Sequence, residues 1–226
     1  MSTFALVHGA GDGGWYWHLV EAELRSRGHL TVAPDLPDDD SATLDDYADA
    51  VADAIADVAG DDDVVVVAQS FGAFTAPLVA ARRPVSRLVL VAGMVPRPGE
   101  PPEDWWEHTG YATAAAEQAA ADGGLTGHED PRVSYYHDVP EALADEALAR
   151  ERAHPSTAAY TQPWPLDSWP DVRTRFVLCA EDRAFPPAFL RRVALVRLGV
   201  VPDELASGHC PALARPRELA DLLVLG

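Results

Sequence analysis

The stretch DVVVVAQSFGAF, residues 63–74, decides how the rest of the chain reads. Val64 to Val67 and Ala68 form an unbroken, largely β-branched apolar run, which suits a strand covered on both faces. The run ends at the polar pair Gln69 and Ser70, and Phe71-Gly72-Ala73 opens a stretch that reads as a helix to about Arg82. A serine between a buried strand and a helix stands on a sharp bend at the carboxyl edge of the sheet, where ligands bind in such folds. The N–H of Phe71, at the start of the helix, points the same way and can donate to a developing oxyanion. Ala68 and Gly72 are small, as the close approach of strand and helix requires.

The same punctuation recurs along the chain. Phe4–Val7 reads as a first strand, broken by the loop His8-Gly9-Ala10-Gly11-Asp12-Gly13-Gly14. A helix is expected from Trp15 to about Arg27, stopped by Gly28, then a strand over Leu30–Ala33. Leu44, Tyr47, Ala48, Val51, Ala52, Ile55, Val58 and Ala59 fall on one helical face. Thr43 with Asp46 forms a candidate capping box, and Gly60 is the expected stop. Further strands are expected over Leu88–Ala92 and Phe176–Ala180, with a weak one over Asp203–Ala206. Helices are expected near Pro187–Leu198 and over Pro216–Leu225.

This alternation implies an α/β fold, a mostly parallel sheet of about six strands with helices on both faces. Residues 95–170 carry no convincing strand but many aromatics, among them Trp105, Trp106, Tyr135, Tyr136 and Tyr160. The expected organisation is a core domain over 1–94 and 171–226 with a helical cap insertion over 95–170, its aromatics forming an apolar lid.

Composition narrows the function classes. A formal net charge of -19 argues against nucleic acid or an anionic membrane as partner. All 17 basic residues are arginine, and Ile55 is the sole isoleucine. A GC-rich genome accounts for that usage; a salt-adapted surface is the alternative. Asp45, Asp46, Asp49, Asp53 and Asp57 read as a solvated helix face. Cys179 and Cys210 are too few for a disulfide framework and lack metal-ligand spacing. No apolar run reaches 18 residues, and no basic leader precedes Phe4, so a cytoplasmic protein is expected. The expected partner is a small-molecule substrate; a homodimer is left open.

Ala68-Gln69-Ser70-Phe71-Gly72 resembles the nucleophile elbow G-x-S-x-G of the α/β-hydrolase family, with Ala68 in place of the first glycine. That resemblance implies a chain order of serine, acid, histidine. Asp182, in Cys179-Ala180-Glu181-Asp182 after the fifth strand, falls where the family's acid sits, with Glu181 as the rival. His209, in Ser207-Gly208-His209-Cys210, falls where the base sits. By the same resemblance His209 takes the proton from Ser70 and Asp182 orients it. Ala10 matches the position of the second oxyanion donor, so the implied hole is the N–H groups of Ala10 and Phe71. His8 is expected to hold that loop, with Trp15 and Trp17 packed beneath it. His108, His128, His137 and His154 are assigned surface or pocket duty. Ordinary alternatives are an N-cap role for Ser70 and a loop role for His209.

Together with the segments at residues 6–36, 176–192 and 207–223, the elbow is similar to the methylesterase and hydroxynitrile lyase branch. Lyases of that branch carry a threonine where Gly9 stands and a lysine where Cys210 stands, which points to the esterase side. The insertion reads as shorter than in the plant enzymes, so their substrates do not transfer. The resemblance implies a serine hydrolase acting on a small ester, thioester or lactone through an acyl-enzyme on Ser70, with no metal or cofactor. Carbon–carbon cleavage, perhydrolysis and a ligand receptor on the same fold are the competing readings.

Overall fold

The structure, a computed structural model, describes residues 1–58 and 63–225. Its centre is a six-stranded sheet in the order β2-β1-β3-β4-β5-β6. The strands are β1 (Ser2–Val7), β2 (Leu30–Val32), β3 (Asp63–Gln69), β4 (Arg87–Val91), β5 (Thr174–Cys179) and β6 (Asp203–Leu205). Every neighbouring pair is parallel. Val64 to Ala68 are buried throughout, so the valine run lies at the middle of the sheet, between β1 and β4.

Three helices join the first four strands: α1 (His18–Ser26), α2 (Leu44–Ala56) and α3 (Ala76–Arg82). The chain runs from β1 to β2 in one direction and returns past β1 to β3. Right-handed crossovers therefore put α1 and α2 on opposite faces, and the switch of direction lies between β1 and β3. That crevice is where a doubly wound sheet holds ligands, and both the His8–Gly14 loop and Ser70 open onto it.

The region between β4 and β5 contains α4 (Trp105–Thr109), α5 (Tyr111–Asp122), α6 (Pro131–Ser134), α7 (Glu141–Ala149) and α8 (Thr157–Thr161), and among the described residues no strand. The chain then adds α9 (Pro187–Leu198), α10 (Pro211–Ala214) and α11 (Pro216–Val224). α1 packs on α11, α2 on α3, and α9 on β5.

The structure departs from the sequence expectations in local form. Trp15 lies in a 3-10 turn, Gly14–Trp17, that precedes α1, and Ser70–Phe74 is a 3-10 turn that precedes α3. The second departure lies where the chain passes closest to β1. A Cβ on Gly72 would meet the His8 carbonyl oxygen at 2.7 Å and that of Val7 at 3.0 Å, so only glycine fits where the turn grazes the end of β1. Thr43 and Asp46 form the expected capping box. Val58 lies beyond the end of α2 and is exposed. Ala59 and Gly60 fall outside the described residues.

Candidate active site

Ser70 follows the last residue of β3 and has φ 49°, in the left-handed region that a side chain rarely adopts. The bend carries it off the sheet edge, and its carbonyl oxygen accepts the N–H of Met94 at 3.0 Å. Ala68 is an interior strand residue, paired with Val7 and Leu90, so a methyl group there meets no conformational penalty.

The loops after β5 and β6 supply the other two expected groups. Ala180 and Glu181 donate backbone N–H bonds to Leu205 and Ser207, which ties the two loops together. His209 Nδ1 lies 2.8 Å from Asp182 Oδ2, and both residues are buried. Asp182 Oδ1 accepts the N–H groups of Ala184 at 2.8 Å and Phe185 at 2.9 Å, which fixes the carboxylate in place. The rival Glu181 is exposed and makes no contact with His209 among the described residues. The imidazole is held edge-on by the rings of Phe185 and Tyr135, at 5.0 Å and 5.3 Å.

Ser70 and His209 line one cavity of about 530 Å³ together with Ala10, Phe71, Trp106, Tyr136 and Tyr160. The loop bearing Ala10 is anchored from both ends. Gly11 donates to the His154 carbonyl at 2.9 Å and accepts from the Arg152 N–H at 2.9 Å. His8 Nε2 accepts the Leu36 N–H at 3.1 Å, so Nδ1 carries the proton and donates to the Gly9 carbonyl at 2.9 Å. Burial holds this imidazole neutral, with its pKa lowered to about 4. Trp17 is fully buried, and Trp15 stacks on His18 with the Arg150 guanidinium above it.

Several residues around the site carry no signal in the sequence. Asp138 Oδ2 accepts the Gly208 N–H at 2.8 Å and the Ser207 hydroxyl at 3.0 Å. His137 Nε2 bonds the Glu181 carbonyl at 3.0 Å. Two adjacent residues of the β4–β5 segment thus pin the loops that carry Asp182 and His209. Gln69 donates its side-chain N–H to the His209 carbonyl at 3.2 Å. Asp12 and Glu151 also line the cavity. Cys210 and Cys179 are free and buried, and burial pushes both thiols well above their ordinary pKa. Among the described residues no cluster of His, Cys, Asp or Glu is placed to hold a metal, and no helix is long and apolar enough to cross a membrane.

Fold and site together define a class of enzyme. The chain belongs to the alpha/beta hydrolase family, whose model matches residues 4–222. Among the proteins it is similar to are norfluorocurarine synthase 2 from a Strychnos species, at 27% identity over 98% of this chain and 93% of that protein, and methylesterase 7 from Arabidopsis thaliana, at 29% over 98% and 94%. A solved extracellular alpha/beta-hydrolase from a Paenibacillus species superposes with a TM-score of 0.78 at 21% identity, covering 99% of this chain and 98% of that one.

Proposed function

We propose that the protein is a serine carboxylesterase that cleaves a small ester, thioester or lactone through an acyl-enzyme on Ser70. In this reading His209 Nε2 takes the hydroxyl proton as Ser70 attacks the carbonyl carbon. Asp182 holds the Nδ1–H tautomer and balances the imidazolium that forms. The N–H groups of Ala10 and Phe71 receive the oxyanion; that of Phe71, in the first turn of its helix, has no intrahelical partner. The imidazolium then protonates the departing alcohol, and water repeats the sequence to free the acid.

The observation that carries the reading is the buried 2.8 Å contact between His209 and Asp182 in the loops beside the cavity of Ser70. The ester side of the branch is supported by Gly9. A Cβ there would meet Gln69 Oε1 at 2.1 Å and Ser70 Cβ at 3.1 Å, so a lyase-type threonine would require the Gln69 side chain to move aside. A relative named methylesterase agrees with this choice. The reading of 95–170 as a cap is supported by Trp106, Tyr136 and Tyr160, which line the same cavity as Ser70.

Hydrolysis of short-chain p-nitrophenyl esters tests this. Ser70→Ala is expected to lower kcat by at least about a thousandfold with the fold intact. A variant that keeps most of the wild-type rate would remove Ser70 from the chemistry.

A further inference from the structure

The polar groups that the cavity leaves unused are chiefly acceptors. Asp12 and Glu151 line it, and among the described residues neither carboxyl accepts a hydrogen bond. Gln69 is 1% exposed, and its Oε1 has no partner; His154 is 7% exposed, and neither ring nitrogen has one. Burial pushes the His154 pKa down to about 3, so its ring is uncharged and offers one lone pair and one N–H. The one guanidinium in the described lining, that of Arg152, gives its two terminal nitrogens to Asp35 at 2.6 Å and Asp38 at 3.0 Å, and only its buried Nε–H is left without a partner. Trp106, Tyr136 and Tyr160 add ring faces to the same wall.

Unpaired carboxyls, buried acceptors and aromatic faces in one cavity favour a positive charge on the ligand. A carboxylate there would meet Asp12 and Glu151 with no free cation to offset them. The acid released by hydrolysis becomes such a carboxylate, so the same field drives it out.

We propose that the preferred substrates are esters whose alcohol part carries a cationic amine, with Glu151 and the ionised form of Asp12 as its counter-charges. This rests on the esterase reading above. The alcohol side is chosen because Asp12 and Glu151 line the same cavity as His209, the group that hands its proton to the leaving alcohol in that reading.

Acid release from butyrylcholine and from 3,3-dimethylbutyl butyrate tests it. The two esters match in shape and differ in charge. The choline ester is expected to show at least about tenfold higher kcat/KM, equivalent to about 1.4 kcal/mol. In an Asp12→Asn, Glu151→Gln double variant that ratio is expected to fall toward one. The ratio is read within each variant, so a loss of overall rate does not obscure it. Equal turnover of both esters by the wild-type protein, or an unchanged ratio in the double variant, overturns the amine proposal and leaves the esterase reading standing. Turnover of neither ester, or of any p-nitrophenyl ester, overturns both.

Discussion

Ser70 and Asp12 show how single side chains are held at a cost. A left-handed φ costs an L-residue about 1–2 kcal/mol, and Ser70 sits there because the bend lifts its hydroxyl off the sheet edge. Asp12 is strained electrostatically. Burial raises its pKa to about 7; the His209 imidazole pulls it down and Glu151 pushes it up. Tyr16, Tyr136 and Cys210 also face it and would gain no positive charge on titration. An acid whose folded pKa lies above its unfolded value binds protons more readily when folded. Its effect is nil in strong acid, and stability falls as pH rises from about 4 to about 7. Asp12→Asn is therefore expected to raise Tm at pH 8, with the gain vanishing near pH 4 in thermal melts across that range. A constant gain at all pH values would contradict the assignment.

How much of this could be read from the chain alone follows from where each residue's partners lie. Ser70 and Asp182 stand just after apolar strands and His209 in the loop after the weak last one, where local punctuation marks them. Asp138 bonds a backbone N–H 70 residues away, and nothing around it in the chain signals that contact. Gln69 reads only as a polar neighbour of Ser70, because its partner, the His209 carbonyl, is 140 residues distant.

Most of the strands were legible because they are short apolar runs, and a parallel sheet buries both faces of such a run; the edge strand β6, Asp203–Leu205, is half-exposed and signals itself weakly. The form of the turns was not: β1 passes so close to the 3-10 turn after Ser70 that Gly72 has no room for a side chain, a contact with Val7 and His8 far earlier in the chain. α9 shows a related limit. Its residue Arg197 makes an ion pair with Glu100, both 3% exposed, and also bonds the Val95 carbonyl at 2.7 Å. Burial alone would raise the Glu100 pKa, but hydrogen bonds from Arg197 and His108 outweigh it and hold the carboxyl below its ordinary value. The pair ties the start of the β4–β5 segment to a helix of the core. Arg197→Met leaves a buried carboxylate uncompensated and is expected to cost about 3 kcal/mol in denaturant unfolding. Adding Glu100→Gln is expected to recover most of that loss; equal losses in the single and double variants would mean that the charge is not what matters.

The assembled molecule places the cavity of Ser70 and His209 at the sheet edge where the strand order reverses, and residues of the segment inserted after β4 line it. Its surface has a different logic. A net charge of -19 with no lysine makes the folded chain repel itself, and counter-ions relieve that repulsion. Tm is expected to rise as sodium chloride goes from about 0.05 to about 0.5 M, most steeply at the low end where screening lengths are long. A flat or falling curve would show that the exposed aspartates are already paired. Arg82 with Asp45 and Asp49 is one such pairing, and Arg132 with Asp145 another, but the carboxylates far outnumber the arginines.

The nucleophile can be found by treating the native protein with a fluorophosphonate and mapping the adduct by peptide mass spectrometry. One phosphonylated residue, Ser70, is expected, with labelling lost in His209→Ala. Labelling at another serine, or none at all, would contradict the assignment of Ser70 and His209 as nucleophile and base.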